Sequence, residues 1–203
     1  MNKVILADSA GFCFGVQRAV DEAIKVQKQY DKKIYTLGPL IHNNDVVNYL
    51  QENNIHVIDF DNAMKLEKGE VVVIRSHGVT KKVIEDLEAN GIKVVNATCP
   101  YVTNIHKKVN KYKDLGYNIV ILGDNNHPEI IGINGWCKDS AIITEDGTFT
   151  GKVPNKVCAV SQTTQKEATW QKTVSNLTAM SKEVLAFNTI CSATEVRQKA
   201  VRE

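Results

Sequence analysis

Short, uninterrupted apolar runs recur along this chain, and each stops at a loop carrying a histidine, a cysteine or a cluster of hydroxyls. Val71-Val72-Val73-Ile74 stops at Arg75-Ser76-His77-Gly78-Val79, and Lys93-Val94-Val95 stops at Asn96-Ala97-Thr98-Cys99-Pro100. Asn118-Ile119-Val120-Ile121-Leu122 stops at a loop containing His127-Pro128-Glu129, and Val157-Cys158-Ala159-Val160 stops at Ser161-Gln162-Thr163-Thr164. Runs without polar alternation read as strands buried on both faces, which means a parallel sheet covered by helices. Helical patterns lie between them: Val16, Ala19, Val20, Ala23 and Ile24 after Cys13, then stretches over 45–51, 81–89 and 166–180. Further strands are expected at 4–6, 32–37, 55–58, 141–143 and 183–187. The class is α/β.

The strand-end residues repeat in order. His42, His77 and Cys99 are separated by 35 and 22 residues, and His127, Thr163 and Cys191 by 36 and 28. Equivalent positions are offset by 85, 86 and 92 residues, and both series close on Asn-x-x-Cys, at Asn96 and Asn188. A period of this size means a duplicated structural unit. Cys13, in Gly11-Phe12-Cys13-Phe14-Gly15, then reads as the closing cysteine of a third unit. Only twelve residues precede it and only twelve follow Cys191. The expected division is a first α/β unit over 14–98, a second over 99–190, and remnants of a third at 1–13 and 191–203. The expected architecture is a pseudo-threefold trefoil of parallel-sheet units, two largely present and the third mostly missing.

Bulk properties exclude several classes. The formal net charge of +2 gives no basis for a nucleic-acid surface. No apolar run reaches the ~18 residues of a membrane span, and Asp8 comes too early for a signal peptide, so a cytoplasmic location is the expectation. Five cysteines without a secretion signal read as free thiols, nucleophiles or metal ligands, not as a disulfide framework. There is no CxxC pair, so any thiol cluster must be assembled by the fold. Cys158, inside an apolar strand, reads as a packing residue, and Cys137 carries no assigned role.

Ligands of open α/β sheets bind beyond the carboxyl ends of the strands, where the repeat puts Cys13, Cys99 and Cys191. Three converging thiolates can hold a metal; a structural zinc would want a fourth protein ligand, and a cubane iron–sulfur cluster held by three leaves one iron open. Three unrelated buried thiols are the other reading of the same pattern. His42, His77 and His127, near helix N-termini, suit a phosphate or diphosphate, with Asn43, Ser76 and Gln162-Thr163-Thr164 as further polar lining. For Gln162-Thr163-Thr164 the plainer reading is helix capping. Glu129 either complements a helix dipole or, beside a redox metal, supplies a proton.

These residues also form a signature. Gly11-Phe12-Cys13-Phe14-Gly15-Val16-x-Arg18-Ala19, Gly38-Pro39-Leu40-Ile41-His42-Asn43, Arg75-Ser76-His77-Gly78-Val79, Ala97-Thr98-Cys99-Pro100, His127-Pro128-Glu129, Gln162-Thr163-Thr164 and Ile190-Cys191-x-Ala193-Thr194-x-x-Arg197-Gln198 occur in one order. Together they resemble the 4-hydroxy-3-methylbut-2-enyl diphosphate reductase family, the IspH/LytB type, which closes the methylerythritol phosphate route to isoprenoids. The resemblance covers essentially the whole chain. It implies a trefoil around an oxygen-sensitive [4Fe–4S] cluster held by Cys13, Cys99 and Cys191. It also implies that His42, His77 and His127 line the diphosphate pocket with Thr164 nearby, that Glu129 relays protons, and that Thr163, supported by Gln162, orients the substrate hydroxyl. The implied reaction is reductive dehydration to isopentenyl and dimethylallyl diphosphate, with electrons from ferredoxin or flavodoxin. Asn96 stands where the family usually has Asp, and Asn104 where Lys is common. The family's Ser-x-Asn diphosphate grip falls beyond Glu203. A truncated, non-catalytic iron–sulfur or phosphate-binding module is the alternative; an electron carrier would have no use for Glu129, Gln162 and Thr163.

Overall fold

Two four-stranded sheets, both wholly parallel, carry the chain. The computed structural model describes residues 6, 10–41 and 43–202. The first unit runs α1 (Phe14–Tyr30), β1 (Ile34–Leu37), α2 (Asn44–Glu52), β2 (Ile55–Ile58), α3 (Phe60–Ala63), β3 (Val71–Ile74), α4 (Lys81–Ala89) and β4 (Lys93–Asn96). The second runs α5 (Pro100–Asp114), β5 (Asn118–Leu122), α6 (Pro128–Gly135), β6 (Ile142–Thr144), β7 (Lys156–Ser161), α7 (Glu167–Met180) and β8 (Glu183–Ala186), and α8 (Ser192–Arg202) ends the chain. Strand orders are β2-β1-β3-β4 and β6-β5-β7-β8, the same topology twice. The expected repeat is therefore a repeat of architecture. The strand expected at 4–6 lies outside the described residues, Leu6 apart, and so does His42.

Burial follows strand position. Central β3 is buried at all four residues and central β7 at five of six, while edge strands β4 and β8 each expose both ends. In the first unit Ile34, Val71 and Val73 pack on Ala19, Val20 and Ala23 of α1; Leu37, Val72 and Ile74 face Ala63 and Leu87 across the sheet. In the second, Ile119, Ile121 and Val160 pack on Ile105, Val109 and Ile130, with Val120, Val157 and Ala159 against Trp170 and Leu177. Helix starts obey local chemistry. Asn43 caps α2 by accepting from Val46 N–H at 3.2 Å, and Thr80 caps α4 by accepting from Val83 N–H at 3.3 Å. Pro100 and Pro128 occupy the first turns of α5 and α6.

The two units meet along a narrow seam. Gly132 and Gly135 of α6 lie against the turn Gly78-Val79-Thr80, and a Cβ on Gly135 would fall 2.3 Å from Thr80 Cβ. Trp136 Nε1–H donates to Val79 carbonyl oxygen at 3.0 Å, and His106 of α5 stacks on Trp136 with centroids 5.1 Å apart. His106 is buried in this seam on the inner face of α5. The described residues hold no third sheet. Their two ends are joined, however, by Arg197 of α8, which donates to Gly11 carbonyl oxygen at 2.9 Å.

Candidate active site

In both sheets the strand order reverses beside the first strand, between β1 and β3 and between β5 and β7, and a crevice opens at such a switch point. The loops after β3, β5 and β7 deliver Ser76 and His77 from the first unit and His127, Glu129, Thr163 and Thr164 from the second. All six line one cavity of about 380 Å³. Cys13, Cys99 and Cys191 line it too. Each directly precedes a helix, Cys13 and Cys99 as the N-caps of α1 and α5 and Cys191 before Ser192 of α8. The Cys13 thiol makes no cap bond to α1, and the Cys99 thiol faces the first N–H groups of α5 while lining the cavity.

The thiol positions are fixed through backbone. Cys99 N–H donates to Ser76 carbonyl oxygen at 2.9 Å, and Cys191 N–H donates to Thr163 carbonyl oxygen at 2.8 Å. This shared clasp makes Ser76, not His77, the counterpart of Thr163, which corrects the spacing-based pairing by one residue. Arg18 of α1 donates to Thr98 carbonyl oxygen at 3.0 Å, tying the Cys13 helix to the Cys99 loop. Gly15 lets them close: a Cβ there would lie 2.5 Å from Cys99 Sγ. Burial pushes the Cys99 thiol up, the N–H groups of Tyr101 and Val102 oppose that, and Cys13 and Cys191 add like-charge repulsion. Three soft sulfur donors on one cavity are a set that could hold a thiophilic metal group. Among the described residues no three His, Cys, Asp or Glu side chains are grouped tightly enough for a single ion.

On the opposite wall Glu129 is 2% exposed. Its Oε1 accepts from Thr163 N–H at 2.7 Å and its Oε2 from the Thr163 hydroxyl at 2.7 Å. Burial pushes this carboxyl above its ordinary range, against the opposing pull of the two Thr163 bonds. His127 caps α6, its Nδ1 accepting from Glu129 N–H at 3.1 Å. That bond puts the proton of the neutral ring on Nε2. His77 meets His127 edge to face at 5.5 Å. Gln162 is buried but does not line the cavity; its Oε1 accepts from Asp124 N–H at 3.1 Å, bracing the loop that leads to His127. Asn43 is likewise occupied with its helix cap.

Arg197, Thr194 and Tyr101 also line the cavity. Arg197 lay within the signature, but its spacing gave no role, because its position depends on α8 meeting Gly11. Cys158 and Cys137 are fully buried away from the site, and burial pushes them up to about 12 and about 11. No helix among the described residues is long and apolar enough to cross a membrane.

A family model described as LytB protein matches residues 4–203. A 4-hydroxy-3-methylbut-2-enyl diphosphate reductase of Clostridium perfringens is 65% identical over 200 residues, spanning 98% of this chain and 71% of that protein. The protein of the same name from Clostridium acetobutylicum is 52% identical over 205 residues, but these make up only 32% of its length. Among solved structures, a (E)-4-hydroxy-3-methyl-but-2-enyl diphosphate reductase superposes with a TM-score of 0.82 at 39% identity, covering 98% of this chain and 72% of that one. The Plasmodium falciparum reductase superposes with a TM-score of 0.84 at 26% identity, covering 96% of this chain and 62% of that one.

Proposed function

The chain belongs to the LytB protein family, and from that premise we propose that it carries out the reductive dehydration of 4-hydroxy-3-methylbut-2-enyl diphosphate. The observation that carries the reading is the convergence of Cys13, Cys99 and Cys191 with Glu129, His77, His127 and Thr163 on one cavity. Cys13, Cys99 and Cys191 would hold a [4Fe–4S] cluster, and three ligands leave one iron without a protein thiolate. When bound, the cluster supplies electrons, delivered from a ferredoxin or flavodoxin, and a Lewis-acidic iron for the substrate hydroxyl.

The chain's own residues supply the rest. The allylic C–O bond breaks, two electrons and two protons enter, and the oxygen leaves as water, giving isopentenyl or dimethylallyl diphosphate. Glu129, whose carboxyl burial makes readier to take up a proton, is the proton source for the reaction. The Thr163 hydroxyl, which donates to Glu129 Oε2, relays a proton onward by turning to accept from the protonated carboxyl as it donates its own hydrogen to the substrate oxygen. His127, with its proton on Nε2, and His77 beside it offer donors to diphosphate oxygens, with His42 assigned to the same role. Thr164 extends that lining, and Gln162 steadies the loop beneath it.

Anaerobic reconstitution with iron and sulfide tests the reading. One iron should be inequivalent in the Mössbauer spectrum, and its signal should respond to added substrate. A zinc-only site, or four equivalent irons, would sink the proposal.

A further inference from the structure

A second cavity, of about 320 Å³, lies at the carboxyl end of the first sheet, between the loops after β1 and β3 and the face of α6. We infer that it binds a small organic anion, a single carboxylate or phosphate-monoester head on a short apolar body, with Arg75 as the anchor. Arg75 Nε is buried without an acceptor, and the guanidinium makes no hydrogen bond or ion pair with any described residue. Guanidinium does not lose its proton in proteins. A half-buried guanidinium whose Nε–H is shut away from water without an acceptor carries a desolvation cost, and an anion beside it offsets that cost.

The second unit provides the internal control. Gly38 follows β1 as Gly123 follows β5, and Arg75 follows β3 as Gln162 follows β7. A Cβ on Gly38 would lie 2.9 Å from an Arg75 terminal nitrogen, and one on Gly123 would lie 2.9 Å from Gln162 Oε1. The two side chains thus occupy equivalent places over equivalent glycines. Gln162 is neutral and bonded to Asp124 N–H; Arg75 is charged and unsatisfied. The first sheet has left a ligand-sized opening at its switch point, where such sheets bind ligands.

The walls define the rest of the molecule bound. Phe60, Val79, Val83 and Ile131 offer an apolar body its contacts, and the α4 N-terminus at Thr80 adds a favourable dipole for the head. One carboxylate, Asp59, lies at the rim, but it is turned to α3, accepting from Asn62 N–H at 2.8 Å and Asn62 Nδ2 at 3.0 Å.

The test titrates methyl-labelled protein with 3-methylbutyl phosphate and, separately, 4-methylpentanoate, which have similar short branched bodies and two different heads. Saturable shifts of the Val79, Val83 and Ile131 methyls are expected, and the tighter ligand names the head. Arg75→Gln should weaken binding roughly 10–100-fold. Ile131→Glu, at an exposed position, should also weaken it by putting a carboxylate on the wall, and keeps the test open if Arg75→Gln misfolds. Shifts confined to Val16 and Val102 in the cysteine cavity, no shifts with either ligand, or unchanged affinity in both variants would each overturn the assignment. None of those outcomes bears on the cysteine-cavity reading.

Discussion

Both oxygens of Glu129 are held by one residue, and that makes it a clean target for substitution. Glutamine fits the same bonds, its carbonyl accepting from Thr163 N–H and its amide donating to the Thr163 hydroxyl. A carboxyl with a raised folded-state pKa binds its proton more tightly folded than unfolded, so its stability contribution is lost as pH rises through the raised value. Glu129→Gln should therefore raise the melting temperature at neutral and higher pH and change it little in acid, which scanning calorimetry across pH will show. In the proposed reaction the same variant should lose roughly 10²–10⁴ in turnover, measured with artificial reductant. Gly15→Ala makes a different point. Its Cβ would need the space of Cys99 Sγ, so iron incorporation after reconstitution should fall while the far-ultraviolet circular dichroism stays near that of the parent. That Cys99 and Cys191 would meet on one cavity was legible because their spacing recurs, and Glu129 stood out because it follows a strand-end histidine. The brace made by Gln162 was not, because a buried amide can cap, bind substrate or hold a loop, and only coordinates distinguish these.

Helices and strands announced themselves where local rules act alone. Over α4 the expected range and the observed one coincide, since Thr80 caps its start and Asn90-Gly91 ends it. The four-residue α3 went unread because one turn carries no periodicity. The seam was illegible for another reason: His106, Trp136 and Val79 lie far apart in sequence, and no pattern within α5 says what its buried ring will face. That seam has a pH signature. Burial pushes His106 down from 6.5 to about 4. The unfolded chain then takes up a proton that the folded state refuses, and stability falls as pH drops from 6.5 toward 4. The shift corresponds to about 3 kcal/mol. His106→Phe keeps the stack on Trp136 and should flatten this acid limb in urea titrations at pH 7 and pH 4.5; an equally steep limb in the variant would assign it to other groups.

At the scale of the whole molecule, the described residues form four apolar clusters, and each stays within one unit. Between the units run the seam and the cysteine loops, where Trp136 bonds Val79 and Cys99 bonds Ser76. Trp136→Ala removes the stack and the bond to Val79, so calorimetry should resolve two thermal transitions where the parent shows one. The two-unit architecture was readable in the sequence through the doubled order of strand-end residues. The one-residue shift that pairs Ser76 with Thr163 was not, because loop lengths differ between copies. The amide clasp on Cys99 and Cys191 has a further consequence. A peptide carbonyl is the same atom whatever side chain it belongs to, so the residue that pins the cysteine is free to mutate without unpinning it. After an ancestral doubling, one copy of that position could become a serine that donates to Leu40 carbonyl oxygen and the other a threonine that engages Glu129. Innovation in one gene segment would thereby leave the proposed metal ligand where it was.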